Sequence, residues 1–250
     1  MPLAVIKDSI EYCLNNKLSF VILLLIFISL EFLADILNYG MANLGSIIFF
    51  IVIMGYGLQV IEDTIHGGNR LPKANLKKTI IYGVKGTALG FFYYFIQVYL
   101  FYLIALNLNF PIFDLEDFFL DFYNTVILFS NHDFGKFIIF VTLGFIISYV
   151  IIFFMELSIA RLADGGKLRE SFNFFRIKRA IGIIGWDTYA IEYSKIIAVI
   201  IFFSYIERLV DPYFGLNIFV GSAALFLAFL AEFRGMGRVY KLYTDKKDAA

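Results

Sequence analysis

Three acidic residues fall inside long apolar runs, where a charge is costly and usually has a purpose. Glu31 and Asp35 lie four residues apart on one face of the first run, and Glu156 lies near the end of the fourth. Carboxyls inside a membrane are by default functional candidates, for example as proton or substrate relays. Plainer alternatives stay open: interfacial exposure or a structural hydrogen bond for Glu31 and Asp35, and an ion pair with Arg161 for Glu156.

Two basic segments, each introduced by an acid and paired glycines, form the second set of candidates. VIEDTIHGGNRL (residues 60–71) leads into the first elbow (residues 64–85). It aligns with IARLADGGKLRE (residues 159–170), which leads into the second elbow (residues 161–180), so the chain contains a parallel repeat. Each cation near an anionic lipid surface contributes about 1 kcal/mol, which suits elbows docked on headgroups. The candidate basic residues are Arg70, Lys73, Lys77, Lys78, Arg161, Lys167, Arg169, Arg176, Lys178 and Arg179.

The residues that usually carry catalysis or bind metals form no recognisable motif. Cys13 is the single cysteine, which excludes an intramolecular disulfide, and His66 and His132 fall on opposite sides in the predicted topology. No catalytic triad pattern, H-E-x-x-H, G-x-S-x-G or P-loop is found. We therefore expect no enzyme activity, no cofactor, no metal site of this kind and no nucleic-acid partner.

An acidic segment at residues 110–133 carries Asp114, Glu116, Asp117 and Asp121 on one side of a predicted in-plane helix, with apolar residues on the other. Carboxylate oxygens can bind a cation such as Ca²⁺, but the EF-hand spacing is missing. A solvated acidic face is the preferred interpretation, and cation binding is the alternative.

The composition predicts that these residues are positioned by membrane-spanning helices. Hydrophobic residues make up 60% of the chain and mean hydropathy is +0.80. The apolar residues are grouped in blocks of roughly 20, the length that crosses a bilayer as a helix. We predict one all-α, polytopic membrane domain over residues 1–250, a helical bundle with short in-plane amphipathic helices. The in-plane N-terminal helix is expected at 3–17, and six spans at about 19–38, 46–64, 86–107, 137–160, 190–208 and 214–233.

Charge distribution predicts the orientation of this bundle. All of the Lys and Arg except Lys136, Lys195 and Arg208 lie in the N-terminal helix, the two elbows or the C-terminal tail. By the positive-inside rule these segments are cytoplasmic. The expected location is the plasma membrane, with both termini inside and the acidic segment outside.

The stretches IKDSIEYCLNNKLSFVILLLIFIS, GYGLQVIEDTIHGGNRLPKANLKKTIIYGVKG and ARLADGGKLRESFNFFRIKRAIGIIGWDTYA resemble the DUF4013 family of mostly archaeal membrane proteins. The resemblance covers nearly the whole chain and implies a multi-pass membrane protein without an established activity. One departure is the basic stretch from Lys73 to Lys78, where the family often carries acidic residues and tryptophan. The resemblance implies no catalytic residues.

Three functions are compatible with these patterns. The preferred one is a non-enzymatic membrane protein whose basic elbows contact anionic lipid headgroups or partner proteins. The alternative is a small-solute or ion transporter or channel subunit that uses Glu31, Asp35 and Glu156, and a membrane-embedded enzyme is the least favoured. Gly86 and Gly90 form a G-xxx-G pair that favours close helix packing, with homo-oligomerisation as an alternative.

Overall fold

The computed structural model describes residues 2–40, 44–109, 134–210 and 217–248, and every regular element within these ranges is helical. A π-helical turn, Asn217–Gly221, leads into the last helix. The all-α prediction is confirmed. The helices are α1 (Pro2–Leu14), α2 (Lys17–Gly40), α3 (Leu44–Ile65), α4 (Leu76–Asn107), α5 (Phe134–Ala163), α6 (Leu168–Ser171), α7 (Phe174–Ile184), α8 (Trp186–Val210) and α9 (Ser222–Asp248).

Five of the described helices are long and apolar enough to cross a bilayer, and α1 with α2 provides a sixth if the bent pair is one span. Each of the five is at least 21 residues long, above the roughly 20 residues that a bilayer core requires. A helix satisfies its own backbone hydrogen bonds, so its apolar side chains can face lipid. Phe145, with 73% of its surface exposed, is such a side chain. The chain is therefore a multi-pass helical membrane bundle.

A sharp bend separates α1 from α2. The segments Lys7–Leu14 and Lys17–Leu33 are inclined by 102°. At the bend the Asn16 side-chain oxygen accepts a hydrogen bond from the Ser19 backbone N–H at 3.3 Å, which caps the start of α2. Helix α1 matches the predicted helix at 3–17 to within three residues and buries Cys13, as expected of a small apolar side chain.

The first elbow contains a difference from the sequence prediction. We predicted a span that begins at about residue 86, but α4 is one continuous helix that begins at Leu76. Its glycines do not break it, because they serve packing against α3: a Cβ on Gly83 would lie 2.0 Å from the Ile51 carbonyl oxygen, and one on Gly86 would lie 2.5 Å from Met54. Gly90 has nothing within 4 Å of such a Cβ, so of the predicted G-xxx-G pair only Gly86 makes a close approach.

The last helix is the second difference. The predicted span ended at 233, yet α9 continues to Asp248 and buries residues far beyond that point. Gly235 and Gly237 let it pack closely, since added Cβ atoms would lie 2.7 Å from Ile196 Cδ1 and 2.6 Å from Thr64 Cβ. The tail therefore continues the last helix, and its residues as far as Tyr240 contribute to the folded core.

The chain divides into two compact units. The larger one comprises residues 1–88 and 156–250 and is built around α9, which packs against α1, α2, α3, α7 and α8. The smaller one comprises residues 89–155, where Val98, Phe101, Ala105 and Phe140 form an apolar cluster. Gln97 donates to the Ser148 hydroxyl at 3.0 Å within the same unit. The acidic segment at 110–133, with its predicted helix and cation alternative, lies outside the described residues.

Candidate functional site

The predicted intramembrane acids have different surroundings. Glu31 is half-buried, and its Oε2 atom is buried without a hydrogen-bond partner among the described residues. The backbone of Asp35 lies in α2, but its side chain is outside the described part of the structure. Glu156 is 6% exposed.

Glu156 is joined to an acid that the sequence analysis missed. Its carboxyl group hydrogen-bonds with that of Glu232, which is half-buried on α9. Two adjacent carboxyl groups repel each other when both are ionised. Glu232 lies inside the predicted sixth span, so its position among apolar residues was a signal that could have identified it.

The predicted ion pair between Glu156 and Arg161 is not the pairing observed. The Arg161 guanidinium instead donates to Glu170 Oε2 at 3.3 Å, and Arg176 Nη1 lies 3.0 Å from the same oxygen. A glutamate in the second elbow thus holds two of the predicted basic residues together. Lys195, one of the three cations outside the basic segments, pairs with Glu192 at 2.6 Å.

The two elbows begin with the same backbone turn. Gly67 has φ +84° and Gly165 has φ +73°, a left-handed conformation that ends the preceding helix and that glycine adopts without strain. In the first elbow the Gly68 N–H also bonds to the Asp63 carbonyl at 2.7 Å. The acid-Gly-Gly repeat read from the sequence is thus a repeated helix-ending turn.

The first elbow closes around the Arg234 guanidinium of α9. Arg234 Nε donates to Asp8 Oδ2 at 2.9 Å, and Nη1 donates to the Gly68 carbonyl at 2.9 Å and to Thr64 Oγ1 at 3.4 Å. Its Cζ atom lies 3.9 Å from the centre of the Tyr12 ring, a cation–π contact. Only 7% of Arg234 is exposed, so this cluster ties α1, α3 and α9 together.

The second elbow carries a helix with two distinct faces. Asn173 caps α7, since its side-chain oxygen accepts from the Arg176 N–H at 3.1 Å. Positions at helical spacing then point inward and are buried: Ile177, Ala180, Ile181 and Ile184. The opposite face exposes Phe175, Lys178 and Arg179, at the i, i+3 and i+4 spacing that brings side chains together.

The ten predicted basic residues are thus divided by the structure. Lys78 pairs with Glu62 at 2.5 Å, and Arg161 and Arg176 pair with Glu170. The other seven are exposed: Arg70, Lys73, Lys77, Lys167, Arg169, Lys178 and Arg179.

A polar cavity of about 580 Å³ lies where the two elbows meet the end of α9. His66 comes from the first elbow, Asp164 from the equivalent repeat position of the second, and Tyr240, Tyr243 and Lys247 from α9. Both elbows therefore lie at one end of the larger unit, as the charge pattern predicts. Among the described residues, no group of three or more His, Cys, Asp or Glu could hold a metal ion.

Asp164 is an acidic cavity group whose protonation is affected by its surroundings. Burial raises the pKa of its carboxyl above the ordinary value. The charges of His66, Lys247 and Arg161 and a hydrogen bond with Tyr240 oppose that rise. A cation brought to this carboxyl would therefore favour its ionised form.

Comparison with known proteins gives one match. A family model described as a protein of unknown function, DUF4013, matches residues 40–210. This range contains both elbows and α3 to α8. No curated protein and no solved structure matches the chain.

Proposed function

This chain belongs to the DUF4013 family of proteins of unknown function, and we propose that it is a non-enzymatic membrane protein whose basic elbows bind anionic lipid headgroups. The exposed face of α7 carries this proposal. It places the ring of Phe175, which is 81% exposed, beside Lys178 and Arg179. A helix that offers aromatic and basic groups together on one face suits the boundary between headgroups and acyl chains.

The packing of the inward face of α7 against the rest of the protein favours lipid binding at its exposed face. Its inward face is buried, so the helix is already ordered, and binding a lipid there requires little further ordering of the protein. Two cations near an anionic surface contribute about 2 kcal/mol together. A partner protein with an acidic surface is the other occupant that such a face could recognise.

The location that goes with this proposal is the inner surface of the plasma membrane, with both termini cytoplasmic. It is supported by the concentration of Lys and Arg in the two elbows and in α9. In a Cys13→Ala background, Arg208→Cys should be labelled by an impermeant thiol reagent on intact cells, and Arg169→Cys only after lysis. The reverse pattern would refute the orientation.

Trp186 allows the lipid proposal to be tested at the site itself. It is the only tryptophan in the chain, it begins α8 directly after α7, and 45% of its surface is exposed. In reconstituted full-length protein, a brominated anionic phospholipid should quench Trp186 fluorescence more strongly than a brominated zwitterionic one. Removing two cations through Lys178→Gln and Arg179→Gln should reduce that preference by roughly tenfold or more.

The matched control removes one lysine and one arginine from the predicted opposite side, through Lys136→Gln and Arg208→Gln. It should leave the preference at Trp186 unchanged. Equal quenching by both lipids in the unsubstituted protein, or equal losses in the two double variants, would count against headgroup binding by α7.

A transporter or channel subunit is the second candidate, and the hydrogen-bonded pair Glu156 and Glu232 favours it. A carboxyl pair inside a bundle is a component that proton-coupled transport could use. Reconstituted vesicles with a pH-sensitive dye would report proton flux, which Glu156→Gln and Glu232→Gln should each abolish and Asp187→Asn should not. Absence of flux from the unsubstituted protein would remove this candidate.

A further inference from the structure

We propose that the cavity between the two elbows and α9 binds a small organic ammonium ion. This site is separate from the lipid-facing surface of α7, and the proposal does not rest on lipid binding. The cavity measures about 580 Å³, within the range of pockets that hold small ligands.

The charges of the cavity wall favour a cation. Its arginine, Arg161, shares the Glu170 carboxylate with Arg176, which does not line the cavity. Of the remaining side chains that line it, Asp164, Asp245 and Asp248 are acidic, Lys247 is basic, and His66 acts on Asp164 as a positive group. An anionic ligand would meet this excess of carboxyl groups, whereas an ammonium group would offset it.

Two tyrosine rings provide the second feature of the wall. The ring centres of Tyr240 and Tyr243 lie 5.2 Å apart, inclined at 55° to each other. Aromatic faces attract cations electrostatically, and together with carboxylates they are suited to hold ammonium groups. A hydrogen bond between Tyr240 and Asp164 holds this part of the cavity together and links α9 to the second elbow.

An ammonium group of the chain itself already occupies the wall. Lys247 Nζ lies 6.0 Å from the centre of the Tyr243 ring and interacts electrostatically with Asp164. A primary ammonium is therefore accepted near an aromatic ring and within electrostatic reach of a carboxyl group. A free amine would compete with the exposed Lys247 side chain for that carboxyl group.

The repeat explains how such a site arises. His66 and Asp164 hold the same place, immediately before the glycine pair, and both line the cavity. Gly165 has φ +73° and nothing within 4 Å of an added Cβ, so the second elbow turns away here without filling the space. The two helix-ending turns thus leave a gap that the last turns of α9 cover from one side.

Isothermal titration of full-length protein in nanodiscs of zwitterionic lipid tests this assignment, with putrescine as the probe and empty nanodiscs as the blank. Putrescine should bind saturably, and inorganic phosphate and glutamate should not. Asp164→Asn should weaken putrescine binding by roughly tenfold or more, because a charge-assisted hydrogen bond is lost. Asp187→Asn, an exposed acid outside the cavity wall, is the matched control and should leave binding unchanged.

Lys247→Gln should change the affinity for putrescine in the opposite direction. It removes the competing ammonium, so putrescine should bind more tightly, by on the order of twofold to fivefold. This variant keeps the proposal testable if Asp164→Asn disturbs folding, which circular dichroism would reveal. No saturable binding of putrescine, equal binding of phosphate, or weaker binding in Lys247→Gln would each overturn the assignment.

Discussion

The two elbows make the same glycine turn and then differ in what they contact. The first closes around Arg234, which bonds to Asp8, Thr64 and the Gly68 carbonyl and is 7% exposed. The second joins Arg161 and Arg176 through Glu170 and has an α7 face that exposes Phe175, Lys178 and Arg179. A repeated turn therefore fixes the path of the backbone, while the side chains that follow it determine whether an elbow holds the bundle together or faces outward.

The difference in stability between the two elbows should be largest at Arg234. Arg234→Gln should lower the free energy of unfolding by about 3 kcal/mol, because it leaves a poorly exposed Asp8 carboxylate without its main partner. Unfolding in mixed detergent micelles, followed by circular dichroism, measures this loss.

Arg238→Gln is the matched control for that substitution. Arg238 bonds to the same Asp8 carboxylate, but 51% of its side chain is exposed. Its loss should cost less than about 1 kcal/mol. Equal losses of unfolding free energy at the two arginines would show that burial of Arg234 adds nothing to stability. The proposed contrast between the two elbows would then be wrong.

The glycine turn itself should cost the same in both elbows. Gly67→Ala and Gly165→Ala each place a Cβ on a left-handed residue, and in neither case would that Cβ come within 3.4 Å of another group. Each should lower the free energy of unfolding by about 1 kcal/mol. Unfolding under the same conditions measures both, and a loss confined to one elbow would mean that the turns are not equivalent.

Sequence reasoning predicted the parts of the fold that depend on local patterns. Apolar run length identified the spanning helices, and the acid-Gly-Gly repeat identified two equivalent turns. It could not predict that Arg234 meets Asp8, because these residues are 226 positions apart and only packing of α1 against α9 brings them together.

The same limit applies to α9 and to Glu156. No local pattern predicts that the last helix continues past residue 233, where Gly235 and Gly237 pack closely against Ile196 and Thr64. Glu156 was expected to pair with Arg161 because they are close in sequence. Arg161 bonds to Glu170 instead. Glu156 hydrogen-bonds with Glu232, which lies on α9, far away in the sequence.

Surface ion pairs in the two elbows should contribute little to stability. Glu170→Gln breaks two contacts in the second elbow, and Glu62→Gln breaks the contact with Lys78 in the first. Because these groups are partly exposed, each change should lower the free energy of unfolding by less than about 1 kcal/mol. A loss at Glu170 as large as that at Arg234 would show that the second elbow is also a structural clamp.

The most direct test of lipid binding by the second elbow compares equal charge changes in the two elbows. Quenching of Trp186 by brominated anionic and zwitterionic lipids would be measured for Lys178→Gln with Arg179→Gln, and for Lys73→Gln with Lys77→Gln. The first pair should reduce the anionic preference by roughly tenfold or more. The second should largely preserve it, because the lysines of the first elbow have no exposed Phe, Tyr or Trp beside them. A preference that survives loss of Lys178 and Arg179, or falls equally in both variants, would contradict lipid recognition by α7.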